Sequence, residues 1–139
     1  MAIKGLSPFI MLNGTAAAAI SLYERVLGAR VLSVVRASDV PDEAPSADGT
    51  DRIVHAALSL GGILMLSDQS EEPAQSNVQV ALDFDYADEM TQKFTALAEG
   101  GRVSLPLQRT FWGATFGMLT DAFGVRWMFN CAQPASVLV

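Results

Sequence analysis

The chain of 139 residues has one cysteine, one histidine and few charges, with only 17% of its residues ionic. Cys131 has no second thiol, so an internal disulfide and a cysteine-based metal cluster are both excluded. That economy of thiols fits a reducing cytoplasm. Cys131 follows an apolar strand and lies far in sequence from His55, which suits a small buried hydrophobe better than a nucleophile. Basic residues number 9 against 15 acidic, a formal charge of −6, and they are scattered singly. A phosphate backbone needs a concentrated positive face, so nucleic acid is excluded as an expected partner. No stretch approaches the ~20 apolar residues of a membrane span. Lys4 and the run 16–19 imitate a secretory leader, but Pro8, Asn13 and Gly14 interrupt it. A helix of the mature fold explains the run better. Glycine-rich phosphate loops, serine-nucleophile motifs and recognisably spaced carboxylate pairs are also missing.

What the chain does have is apolar residues, 50% of the total. That is enough for one compact domain over 1–139 with a substantial core. Their spacing repeats. A strand over 6–12 closes at Asn13-Gly14, and a helix follows with Thr15 as its expected cap. Ala16, Ala19, Ile20, Tyr23, Val26 and Leu27 recur at helical spacing, and Gly28 ends the helix. Strands are expected over 29–35, 52–60 and 63–67, the last two joined by a two-residue turn at Gly61-Gly62. The second half repeats the order: strand 78–84, a helix carrying Ala87, Met90, Phe94, Leu97 and Ala98, then strands 102–107, 114–120 and 125–130. An offset of 71 superposes the helical stripes, and an offset of 72 superposes Gly28-Ala29-Arg30-Val31 on Gly100-Gly101-Arg102-Val103. The reading is a duplicated α+β unit, βαβββ twice, with module 1 at about 1–68, module 2 at about 78–131 and a linker at 69–77. Residues 39–51, with Pro41, Pro45 and Gly49, read as a long exposed loop.

The strand faces point to a pocket. In the first strand Phe9 and Met11 share one face, and Pro8, Ile10 and Leu12 the other, so both are apolar. One helix per module covers one face, and the second must meet something else. His55, Ala57 and Ser59 share a face, as do Gln79, Ala81 and Asp83, and Arg126, Met128 and Asn130. A mostly apolar concavity with a few convergent polar groups is the usual make-up of a small-molecule site.

Several strings carry a family resemblance: Ser7-Pro8-Phe9 with Asn13-Gly14, Tyr23, His55-Ala56, Met65-Leu66-Ser67-Asp68, Phe111-Trp112-Gly113 with Phe116-Gly117, Thr120-Asp121, Phe123-Gly124 and Arg126-Trp127. In this order the chain resembles the vicinal-oxygen-chelate superfamily (glyoxalase, bleomycin resistance and dioxygenase proteins), and within it the PhnB-like branch. The resemblance implies two tandem modules forming a curved mixed sheet around a concave pocket. It also implies a divalent metal held by two side chains from each module, usually His, Glu or Gln. By motif match those positions are Pro8, Leu66 (Met65 if the register slips by one), Gln79 and Met128. Only Gln79 can coordinate, so no metal and no cofactor are expected. Ala57, Thr115 and Val125 stand where the branch carries an acid, an arginine and a histidine.

The ligand-facing candidates are His55, Gln79, Asp83, Phe111, Trp112, Phe116, Arg126 and Met128, with Asn130 beside them. His55 is the one candidate for proton transfer, set against an ordinary sheet histidine. Asp68 and Asp121 read as turn caps. Arg126 reads as the partner of Asp83, of Asp121 or of a ligand anion. The expected protein is a cytoplasmic homodimer that binds a small apolar or aromatic molecule without a metal, for instance to sequester it. The alternatives are a metal-dependent lyase, isomerase or dioxygenase using His55, and a degenerate module that serves only assembly.

Overall fold

In a computed structural model of the chain, the residues described are 3–41, 51–69, 77–111 and 113–132. They form two compact units, residues 1–74 and 75–139.

The first unit runs β1 (Phe9–Met11), α1 (Ala16–Leu27), β2 (Arg30–Arg36), a 3-10 turn (Ala37–Asp39), β3 (Ile53–Ser59) and β4 (Ile63–Ser67). Its sheet has the order β1-β4-β3-β2, with β1 parallel to β4 and the other pairs antiparallel. The second unit runs β5 (Val80–Asp83), α2 (Ala87–Leu97), β6 (Arg102–Arg109), β7 (Ala114–Thr120) and β8 (Arg126–Ala132). Its sheet order is β5-β8-β7-β6, with the same one parallel and two antiparallel pairings. Both units are therefore βαβββ, and the α+β duplication read from the sequence holds.

The backbone hydrogen bonds align the copies residue by residue. Leu12 N–H donates to Ser67 O at 2.7 Å, and Phe84 N–H donates to Asn130 O at 2.8 Å. With Phe9 opposite Met65 and Ala81 opposite Met128, Met11 corresponds to Asp83, Ser67 to Asn130, and Met65 to Met128.

Each helix covers one sheet face. In unit 1 the buried residues Ala16, Ala19, Ile20 and Tyr23 of α1 share the core with Leu12, Ala56, Leu58, Leu64 and Leu66. In unit 2, Phe129 stacks on Phe84 at 5.0 Å and meets Phe94 edge-on at 5.3 Å. Met90, Leu97, Leu119, Trp127 and Cys131 complete that core, so Cys131 is the buried small hydrophobe its context suggests. Burial on this scale is worth about 1.5–3 kcal/mol for each large side chain.

Two local expectations change. Thr15 occupies the cap position of α1 but makes no side-chain cap bond. Asp68 Oδ1 instead accepts the Ala16 N–H at 2.8 Å, from 52 residues away. The β3–β4 turn has three residues, Leu60-Gly61-Gly62, because Ser59 pairs with Ile63. Gly61, at φ 84°, takes the left-handed conformation there.

Candidate functional site

Strand alternation leaves one face of each sheet turned away from its helix. In unit 1 this open face begins with Phe9 and Met11 on β1. Phe9 pairs with Met65, and Met65 with Ala57, so these three form one row. His55 and Ser67 lie one step along on the same face. His55 Nε2 stands 3.4 Å from Met65 Sδ, and Phe9 meets the imidazole edge-on at 5.6 Å and 88°. Phe9 and Met11, on the edge strand β1, are 46% and 43% exposed, high values for large apolar groups. Ser67 is fully buried, yet its Oγ has no hydrogen-bond partner.

In unit 2 the open face has three rows. Asp83, Asn130, Phe116 and Gln108 form one, and Ala81, Met128, Met118 and Leu105 the next. Arg126, Thr120 and Arg102 form the third. Asn130 Nδ2 donates to Asp83 Oδ1 at 3.0 Å, so the Asp83 carboxylate is held by the neighbouring strand's amide. Just ahead of β5, Gln79 carries a buried Oε1 with no hydrogen-bond partner.

The remaining candidates fall elsewhere. Phe111 is 97% exposed on the turn before β7, and Trp112 lies outside the described residues. Asp121 serves structure: its Oδ1 accepts the N–H groups of Phe123 (2.9 Å) and Val125 (3.1 Å), and its Oδ2 accepts Trp127 Nε1–H at 2.9 Å. Asp68 does the same for unit 1, with Oδ1 on Ala16 and Oδ2 on the Ile53 N–H at 3.0 Å. Thus β5, β7 and β8 bring together Asp83, Phe116, Arg126, Met128 and Asn130, whereas His55 belongs to the unit 1 face with Phe9 and Met65.

Comparison with known proteins settles the kinship. A family profile described as the glyoxalase/bleomycin resistance protein/dioxygenase superfamily matches residues 5–129. The chain belongs to this superfamily. It is 34% identical to protein YjdN of Escherichia coli (strain K12) over 92% of this chain and 95% of that protein. Among solved structures, protein PA1353 from Pseudomonas aeruginosa is 38% identical with a TM-score of 0.83, covering 95% of this chain and all of that one. A Bacillus cereus structure described as a putative 3-demethylubiquinone-9 3-methyltransferase, PhnB protein, is 22% identical with a TM-score of 0.77, covering 93% and 100%. It shares the fold, and it represents among the neighbours the branch to which the motifs pointed.

The superfamily's divalent-metal positions can now be placed by register rather than by motif, and two assignments move. Leu66 pairs with Ile10 and Ala56 and is fully buried on the helix-side face, so the unit 1 counterpart of Met128 is Met65. Pro8 shares the side of Ile10 and Leu12, and the 72-residue offset makes Ser7 the counterpart of Gln79. The corrected set is a neutral hydroxyl, two thioethers and one amide. It does not fit a divalent ion, which needs imidazole, thiolate or carboxylate ligands. Among the described residues, no three His, Cys, Asp or Glu side chains group where they could hold a metal. Likewise, no described helix is long and apolar enough to cross a membrane. Sequence reasoning placed Met11 on a face with Phe9 but missed Ser67 and Met118 as face residues. Period-two alternation from Met65 and Phe116 would have found both.

Proposed function

We propose that the chain is a cytoplasmic, homodimeric binding protein that takes a small apolar or aromatic molecule on the open sheet faces without a divalent metal, sequestering it. The observation that carries this reading is the corrected ligand set, with methionines Met65 and Met128 where the superfamily's metal chemistry needs charged or imidazole donors. Methionine floors are adaptable and polarisable, and they favour contact with aromatic rings. Phe9, Met11, Met65 and Ala57 offer such a floor in unit 1, and Ala81, Met118, Met128 and Phe116 in unit 2. The unpartnered Gln79 Oε1 adds a requirement: a ligand that supplies an N–H or O–H there recovers the roughly 1–3 kcal/mol a buried unmet acceptor costs. The bleomycin-resistance members in the family description make sequestration a natural use for such a surface.

A thermal-shift screen of planar aromatic compounds, with and without a hydrogen-bond donor, tests the reading. A hundredfold excess over Kd adds about 2.7 kcal/mol of stability. Donor-bearing rings should raise the melting temperature most, and Met128→Glu should abolish the shift. A stoichiometric divalent ion in the purified protein, lost in His55→Ala, would instead establish the metal-dependent lyase, isomerase or dioxygenase reading.

A further inference from the structure

The duplication makes the two modules controls for one another, and one of the places where they differ in chemistry is informative. In unit 2 the pair Asp83 and Asn130 is closed by a 3.0 Å hydrogen bond. Its unit 1 counterpart is Met11 and Ser67, which face each other across β1 and β4. There the hydroxyl is buried and unpartnered, and the group opposite is a thioether. Buried polar atoms are almost always satisfied, so an orphan in one copy of a duplicated position calls for a specific reason.

The surroundings supply one. Ser67 sits on β4 with β1 on one side and β3 on the other. Met11 is its direct neighbour on β1, Met65 lies two residues back on the same strand and face, and His55 lies on that face of β3. Strands stand about 4.8 Å apart, and long side chains reach diagonally across that spacing. Two thioethers and an imidazole thus hold the neighbouring positions of the face around one unmet hydroxyl. Two of the three are already at bite distance, with His55 Nε2 3.4 Å from Met65 Sδ. At bond lengths of about 2.0 Å to nitrogen and about 2.3 Å to sulfur, that separation subtends about 104° at an ion, close to the tetrahedral angle. The edge of Phe9, 5.6 Å from the imidazole, fixes the ring and walls the place with carbon.

We propose that His55, Met65 and Met11 form a site for a soft monovalent metal ion, of the class of Cu(I) or Ag(I), with the Ser67 hydroxyl as an outer oxygen contact. The preference follows from the donors. Thioether sulfur is a soft neutral ligand suited to Cu(I), whereas carboxylate and water oxygens suit the hard divalent ions. The site lies wholly in unit 1 and uses two side chains, His55 and Met11, that occupy none of the superfamily's usual ligand positions. It shares Phe9, Met11 and Met65 with the unit 1 floor of the proposed small-molecule surface, but its test uses the metal alone, so either reading can fail without the other.

The test is anaerobic titration of the full-length protein with Cu(I) against a colorimetric Cu(I) chelator, and with Ag(I) as a redox-silent probe. Methionine methyl and His55 ring resonances are followed by NMR. One equivalent should bind, shifting the Met11 and Met65 methyls and the His55 ring while Met128 and Met118 stay in place. Met65→Leu, which keeps the volume and the fold, should weaken binding at least tenfold, and Met128→Leu should not. Three results would overturn the proposal: no stoichiometric Cu(I) or Ag(I), binding lost in Cys131→Ser but kept in Met65→Leu, or Zn(II) bound as tightly at the same residues.

Discussion

Asp121 shows how much one carboxylate can carry. It is 3% exposed, and its two oxygens accept two backbone N–H groups of the turn before β8 and the indole N–H of the fully buried Trp127. Buried donors stripped of an acceptor cost about 1–3 kcal/mol each. Asp121→Ala should therefore destabilise the protein by roughly 3 kcal/mol or more, read as a lower urea midpoint with unchanged slope. A second carboxylate reports on pH instead of burial. Asp51 Oδ2 accepts the Ser38 hydroxyl at 2.5 Å and Oδ1 accepts the Ser38 N–H at 2.8 Å, and these bonds hold its pKa below the ordinary 3.8. Because the folded value is the lower one, the contribution is present above about pH 3.8 and fades as acid passes below it through the folded pKa. In an NMR titration the Asp51 carboxyl should move below 3.8, and Ser38→Ala should bring it back towards that value. This pair joins the two ends of the expected 39–51 loop, whose residues 42–50 lie outside those described.

At the level of elements, the hairpins are set by alternation and closed by glycine. Strands 63–67 and 114–120 were legible to the residue because each lies between turn residues, Gly61-Gly62 and Asp68 for the first and Gly113 and Asp121 for the second. β1 was read as 6–12 but forms over Phe9–Met11, since its short ladder against β4 ends where the partner does. α2 shows the same limit, ending at Leu97 ahead of Gly100-Gly101. Close backbone approach was not legible at all. A Cβ on Gly101 would come within 2.1 Å of Thr120 O and 2.7 Å of Asp121 C, whereas one on Gly62 would meet nothing within 4 Å. Gly101→Ala forces β6 from β7 and should cost about 3 kcal/mol or more, while Gly62→Ala should change stability by less than about 1 kcal/mol. Comparing the two variants' melting curves checks both.

At the scale of the whole molecule, the ladders among the described residues give β1, β2, β5 and β6 one neighbour each within their own sheets. β2 is one apolar edge, with Val31 and Leu32 39% and 51% exposed and no charge from residue 31 to 35. Proteins seldom leave such an edge bare. Together with the open faces this supports the proposed homodimer. Sedimentation equilibrium at micromolar concentration should give about twice the 14.8 kDa chain mass, and a monomer there would remove the dimer from the proposal. Replacing Val34 with Lys on β2 should shift the species towards monomer, since a charge on an edge strand opposes pairing.

The chain's order of elements, its duplication, its want of charge clusters and the apolar character of both strand faces all follow from residue spacing, because periods of 2 and 3.6 are written in the sequence. Register is not. A one-residue slip moves every side chain to the opposite face, and that slip separates Pro8 and Leu66, read from motifs, from Ser7 and Met65, set by pairing across β1, β4 and β3. Asp68 capping a helix 52 residues upstream, and the buried Ser67 hydroxyl set opposite Met11, are likewise products of tertiary structure. Each joins residues from separate strands, and only the closed sheet makes them neighbours.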